Sequence, residues 1–305
     1  MPLLSIIVPV FDEEKNIVPL YNEIKKHLSG DDELIFVDDG SKDKTLLQIQ
    51  QICIVDKNIK CISLSRNFGH QNALMAGLQH ATGNYIITMD GDLQHPPALI
   101  IPMIEKLNEG YDIVITKRNK TSDAGAIKNI FSKIFYRFIN SISDTRIEPN
   151  ASDFRAFNKK ILSSILLFKE RELFLRGLFS WIGFNFATIY FDAPERLYGK
   201  TKYSFGKMIK FAVKGITAFS FKPLRIAILI GTLISIAAFA FAAFALIAYF
   251  KGNTVPGWAS TIIAIMFLGG TQLLATGLLG EYIASLFIET KNRPLFLIDK
   301  KINLD

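Results

Sequence analysis

Cysteine is scarce in this 305-residue chain: Cys53 and Cys61 are the only two, with no C-x-x-C pair and no histidine spacing that would complete a zinc site. A disulfide scaffold and a structural zinc are thereby excluded, and reduced structural thiols in a cytoplasmic domain are expected. No G-x-G-x-x-G or G-x-x-x-x-G-K-[ST] follows a strand-like run, so neither a dinucleotide fold nor a P-loop is supported. The opening MPLLSIIVPVFDEE has no basic n-region, and Asp12 interrupts its apolar run. A signal peptide is therefore not expected, and the N-terminal domain is expected to stay in the cytoplasm.

Charge is missing from two long stretches. Residues 226–250, bounded by Arg225 and Lys251, carry none; nor do residues 252–280, of which Ala259–Gly280 is the apolar part. Each exceeds the ~20 residues a helix needs to cross a bilayer core. Two buried core helices would need a larger protein shell than the rest of the chain supplies, so segments about 226–250 and 258–280 are read as transmembrane. Lys214, Lys222 and Arg225 precede the first span, and Lys291, Arg293, Lys300 and Lys301 follow the second. The loop between them carries only Lys251, which puts both termini on the cytoplasmic side of a multi-pass inner (plasma) membrane protein. Spans without internal charge argue against a channel or transporter. The net charge of +7 suits a domain beside anionic lipid or an anionic substrate, though alone it does not separate these from nucleic acid.

What is present is a regular alternation. Short apolar runs recur at 3–10, 33–39, 60–65, 84–90 and 111–116, with helical patterns between them, as in Glu13 to Leu28 and Lys44 to Asp56. Ile- and Val-rich strands alternating with helices predict right-handed βαβ units and an α/β fold with a mostly parallel sheet. Two further segments, 126–142 and 205–221, pair an Ile/Phe stripe with Lys and Arg; such a stripe usually marks a core-facing helix, but beside two spans the reading taken is an amphipathic helix in the membrane interface. The expected organisation is an α/β domain over 1–203, a juxtamembrane helix over 204–223, two spans within 224–289 and a cytoplasmic tail over 290–305.

Ligands of such sheets bind beyond the carboxyl ends of the strands. Asp38-Asp39 ends one strand there, and Asp90-Gly91-Asp92 ends another. An isolated Asp-x-Asp is more often a chance match or a helix cap than a metal ligand. At this edge, with Gly91 permitting close backbone approach, it suits Mg²⁺ or Mn²⁺ held by one or two carboxylates plus substrate phosphates. Arg118 follows the run at 111–116, and Arg196 and Lys202 flank Gly199 in RLYGKTKY. Solvated surface charge is the usual explanation of such a loop, but closure over phosphates fits it too.

VPVFDEE, IFVDDGSKDKT, LSRNFGHQNAL, MDGDLQHPP, SDFRAF and RLYGKTKY occur in that order, followed by two apolar segments and GEYIASLFIETKNRP. Over nearly its whole length the chain resembles the polyprenyl-phosphate glycosyltransferases of glycosyltransferase family 2. These have the GT-A (Rossmann-like) fold and include bactoprenol glucosyltransferases and dolichol-phosphate mannose synthases. The resemblance implies that Pro9, Phe11, Glu13, Val37 and Asp39 border the nucleotide. Asp90, Asp92 and Gln94 would hold the divalent ion, with Gly91 between them. Arg118, Arg196 and Lys202 would meet the phosphates, and Asp153 would face the reaction centre with Asp92 as the second catalytic carboxylate. Phe11 stands where the family commonly has Tyr, and Thr201 where Ser is frequent.

The implied partners are a nucleotide sugar, polyprenyl (undecaprenyl) phosphate and the membrane, without nucleic acid; a homo-oligomer is compatible with the same reading. The implied reaction is inverting, with UDP-glucose favoured over GDP-mannose, UDP-N-acetylglucosamine or an aminosugar donor. A processive polysaccharide synthase would carry Gln-x-x-Arg-Trp, and neither Trp181 nor Trp258 sits in that pattern. A non-catalytic nucleotide-binding membrane protein is the remaining rival, disfavoured by the intact acidic and basic motifs.

Overall fold

The computed structural model describes residues 3–119, 151–171, 175–192, 222–251 and 257–304. The five apolar runs form β1 (Leu4–Val10), β2 (Glu33–Asp38), β3 (Ile59–Leu64), β4 (Tyr85–Thr88) and β5 (Ile113–Arg118). Every residue of β1 and β2 is buried. Helices on both faces of a parallel sheet produce that pattern, which is why these strands read as unbroken apolar runs and not as alternations. Between the strands lie α1 (Ile17–Lys25), α2 (Thr45–Val55), α3 (His70–His80) and α4 (Ile100–Asn108).

α1 starts later than its sequence pattern suggested. The amides of Glu13 and Glu14 donate instead to Thr45 Oγ1 (2.8 Å) and Asp43 Oδ2 (3.2 Å), knitting the loop after β1 to the loop after β2. Seating of α3 on the sheet depends on Gly77, where a Cβ would fall 2.3 Å from Ile7 Cγ2 and 3.0 Å from Val37 Cγ2.

Three strands complete the sheet: β6 (Ala151–Asn158), β7 (Phe186–Phe191) and β8 (Ile298–Ile302), with α5 (Lys159–Ile165) and α6 (Leu175–Trp181) between β6 and β7. The order is β7-β5-β6-β4-β1-β2-β3-β8. β6 runs antiparallel to both β4 and β5, and β8 antiparallel to β3. The chain steps outward from β1 to β2 and β3, then returns to place β4 on the other flank of β1. The loops after β1 and β4 therefore diverge, and a crevice opens between them at the carboxyl edge of the sheet.

The chain divides into two compact units, and the segment Arg293–Asp305, which carries β8, belongs to the unit that holds the sheet. The other contains α7 (Lys222–Phe250) and α8 (Trp258–Thr290), of 29 and 33 residues. At 1.5 Å per residue these are roughly 43 and 50 Å long, against about 30 Å of bilayer hydrocarbon. Both are long and apolar enough to cross a membrane, and their large side chains, among them Phe239, Phe250, Leu273 and Leu274, are exposed. α8 continues past Gly280 through Glu281 to Thr290. The amphipathic segments 126–142 and 205–221 lie outside the described residues.

Candidate active site

The crevice is lined first by the ends of β1 and β2. Pro9 pairs with Val37 across the two strands, and the amide of Asp39 donates to the Val10 carbonyl (2.9 Å). Phe11 and Glu13 follow directly, and Glu13 Oε2 accepts from Asn16 Nδ2 (2.6 Å). Asp38 and Asp39 are both buried. Asp38 looks back into the sheet, accepting from Ser63 Oγ (3.2 Å) and the Ser41 amide (3.1 Å). Asp39 accepts from the amides of Phe68 (2.7 Å) and Gly69 (2.9 Å) and so fixes the entry to α3. Burial raises its carboxyl above the ordinary range despite those two donors, and the Asp38 carboxylate adds to the effect.

Gly91 closes the gap between the β4 and β1 ends. A Cβ there would lie 2.6 Å from Val10 Cγ1 and 3.4 Å from the Pro9 carbonyl oxygen, so only glycine lets the Asp-Gly-Asp turn sit against β1. Leu93 takes a left-handed conformation (φ 61°), and Asp92 Oδ1 accepts the Gln94 amide (3.1 Å), which tightens the turn.

β6 supplies the opposite wall. Its antiparallel register with β4 pairs Tyr85 with Asn158 and Thr88 with Arg155. Carried two residues further, the same register sets Asp153 opposite Asp90. Thr88 Oγ1 donates to the Asp153 carbonyl (2.6 Å) and holds the strand there. Behind it Arg155 is buried, donating from Nε to the Ser152 carbonyl (3.1 Å) with its guanidinium 4.7 Å from the centre of the Phe179 ring.

Two histidines tie these walls together. His95 is fully buried, stacked on Phe154 with centroids 5.1 Å apart and edge-on to Phe191. Its Nδ1 accepts the Asp90 amide (3.0 Å), so Nε2 carries the ring proton and donates to Ser152 Oγ (2.6 Å). Burial holds this imidazole below its ordinary pKa; Asp90 and Asp92 pull the other way, and Arg118, at the end of β5, reinforces the neutral form. His70, the first residue of α3, is exposed and places Nε2 3.4 Å from Asp90 Oδ1 and 3.6 Å from Asp153 Oδ2. Among the described residues, His70, Asp90 and Asp153 are the groups whose ligand atoms all converge within 4.8 Å. Two carboxylates and an imidazole make a donor set that fits a divalent ion. Asp92 lies on the same turn as Asp90 but outside this trio, and its Oδ1 accepts the Gln94 amide.

Residues 5–166 match the family described as glycosyl transferase family 2. This chain is a family 2 glycosyltransferase. Its GT-A fold, with a mostly parallel sheet, follows from that membership and the strand order above. The glycosyltransferase is 40% identical over 301 residues to the prophage bactoprenol glucosyl transferase homolog of Escherichia coli K12, covering 97% of this chain and 98% of the relative. It is 38% identical over 302 residues to the bactoprenol glucosyl transferase of Shigella phage SfX, covering 98% and 99%. The solved structure of Staphylococcus aureus TarS 1–349 in complex with UDP-GlcNAc aligns with 72% of this chain and 66% of its own, at 18% identity and a TM-score of 0.49.

Within this glycosyltransferase the structure brings Pro9, Val37, Asp39, Asp90, Gly91 and Asp153 to one edge, with Phe11, Glu13, Asp92, Gln94 and Arg118 on the adjoining loop and strand ends. Arg196 and Lys202 lie outside the described residues. Sequence reasoning gave no role to His95 and did not single out His70. The signal for His70 was its place just after β3 at the head of the next helix, on the same sheet edge as the acidic pairs. His95 offered no comparable signal, because its partner Ser152 is 57 residues away.

Proposed function

We propose that this glycosyltransferase moves a glucosyl group from UDP-glucose to polyprenyl (undecaprenyl) phosphate at the cytoplasmic membrane face, with inversion and with a divalent ion bound. The observation that carries the reading is near end-to-end similarity to proteins named bactoprenol glucosyl transferase. Two exposed apolar helices of spanning length support it, since the acceptor's polyprenyl chain stays in the bilayer. Reading α7 and α8 as the spans puts the catalytic domain and both termini on the cytoplasmic side, by the basic residues that flank them.

The acceptor is a phosphate monoester whose second pKa of about 6 leaves it largely ionised at neutral pH. It needs alignment more than deprotonation. One phosphate oxygen attacks the anomeric carbon, the bond from that carbon to the nucleoside diphosphate breaks, and UDP departs with the electron pair. Asp90 and Asp92, with Gln94, would hold Mg²⁺ or Mn²⁺, which supplies Lewis-acid stabilisation of the diphosphate. Pro9, Phe11, Glu13, Val37 and Asp39 would bind the base and ribose. Arg118, Arg196 and Lys202 would offset charge on the phosphates. Asp153, held by the Thr88 and His95–Ser152 contacts, would orient the acceptor oxygen and set the field at the reacting carbon.

Membranes carrying the protein, given polyprenyl phosphate, Mg²⁺ or Mn²⁺ and a panel of labelled nucleotide sugars, test the assignment. Label should enter lipid from UDP-glucose in preference to GDP-mannose, UDP-N-acetylglucosamine or aminosugar donors. Asp92→Asn should abolish transfer. Near-normal turnover of Asp153→Asn would remove Asp153 from the mechanism.

A further inference from the structure

We infer that His70 Nε2 is a direct ligand of the divalent ion, a nitrogen donor joining Asp90 at the mouth of the crevice. The inference rests on the metal-dependent reading above and adds a residue outside the Asp-Gly-Asp turn. Three observations carry it. His70 Nε2 stands 3.4 Å from Asp90 Oδ1 and 3.6 Å from Asp153 Oδ2. Two donors sharing an ion at about 2.1 Å lie about 3.0 to 3.4 Å apart for octahedral to tetrahedral angles, within a few tenths of an ångström of these distances.

Next, the site draws two carboxylates onto one imidazole nitrogen. An unprotonated Nε2 offers its lone pair on the side of the ring that faces the Asp90 carboxylate, and a divalent ion would take both as ligands. Last, all three groups are placed by the framework. Asp39 fixes the Gly69 amide one residue before His70, His95 accepts the Asp90 amide, and Thr88 holds the Asp153 carbonyl. Metal ligands are commonly oriented by such outer contacts.

A nitrogen ligand has a consequence for metal choice. Mg²⁺ prefers oxygen donors and retained water, whereas imidazole favours first-row transition ions. His70→Gln should therefore weaken Mn²⁺ binding by about tenfold or more while changing Mg²⁺ binding far less. His70 is exposed at a helix start, so the variant keeps the fold's core intact.

The decisive experiment is pulsed EPR on the full-length protein in nanodiscs with MnCl₂, alone and with UDP. The expected result is a ¹⁴N hyperfine coupling to Mn²⁺ that becomes a ¹⁵N coupling when the protein carries [¹⁵N]histidine. It should vanish in His70→Gln. Bound Mn²⁺ without nitrogen coupling, or coupling that survives in His70→Gln, overturns the assignment of His70. Failure of Mn²⁺ to bind with or without UDP contradicts the metal-dependent reading itself, and this inference falls with it.

Discussion

A methyl group at Gly91 would run into the buried side chain of Val10, whose Cγ1 lies 2.6 Å from the place a Cβ would take. Gly91→Ala should push the acidic turn off β1, costing about 1–3 kcal/mol of stability and lowering turnover at least tenfold. Denaturant unfolding and a transfer assay on the same preparation check both effects. His95→Ala should be worse for stability, by about 2–4 kcal/mol, since it opens a cavity beside Phe154 and strands the Asp90 amide. A melting curve that matches the parent would contradict that role. The acidic residues of the site were legible because strand-end carboxylates at a sheet edge carry their own signal. His95 was not, because its function lies in contacts to Asp90 and to Ser152 on a distant strand.

Elements tell the same story at larger spacing. β1 to β5 were readable as strands because each has a buried stretch centred on Ile, Val, Leu or Phe, with polar residues mostly at its ends. β6 hides buried Asp153 and Arg155, and β8 is an edge strand containing Asp299, Lys300 and Lys301, so neither shows an apolar run. Residues 298–302, expected in a tail, instead cap the exposed edge of β3, which would otherwise offer unpaired backbone groups to other chains. Asn303 anchors that cap, donating from Nδ2 to the carbonyls of Cys53 and Ile59 (2.8 Å each). Asn303→Ala should cost about 1–2 kcal/mol and raise amide exchange in β3, read by mass spectrometry.

Glu33 works across elements as well. It accepts from Ser5 of β1 and Lys60 of β3, and from Thr82 N (2.7 Å) and Oγ1 (2.9 Å) ahead of β4. Burial pushes its carboxyl up, but these donors outweigh it and hold the group below its ordinary pKa. Its stabilisation is therefore full above about 4.5, the unfolded value, and is lost as pH falls through the lower folded value. Glu33→Gln should lower stability by about 2 kcal/mol at pH 7 and flatten the acid limb of the stability–pH curve. An unchanged acid limb would show that Glu33 does not govern it.

At the scale of the whole molecule, a family 2 catalytic fold and two long apolar helices occur in one chain. Composition made that pairing readable, since charge-free stretches and alternating βα runs have separate physical causes. The donor sugar was not readable, because it is set by the shape of a pocket assembled from several loops. The most direct test is transfer by the purified protein in nanodiscs containing undecaprenyl phosphate, with radiolabelled UDP-glucose and Mn²⁺. The account predicts label in an organic-extractable lipid from the parent, none from Asp92→Asn and none when the lipid phosphate is omitted. Persistent failure to label lipid from any nucleotide sugar, in protein that binds UDP, would contradict it.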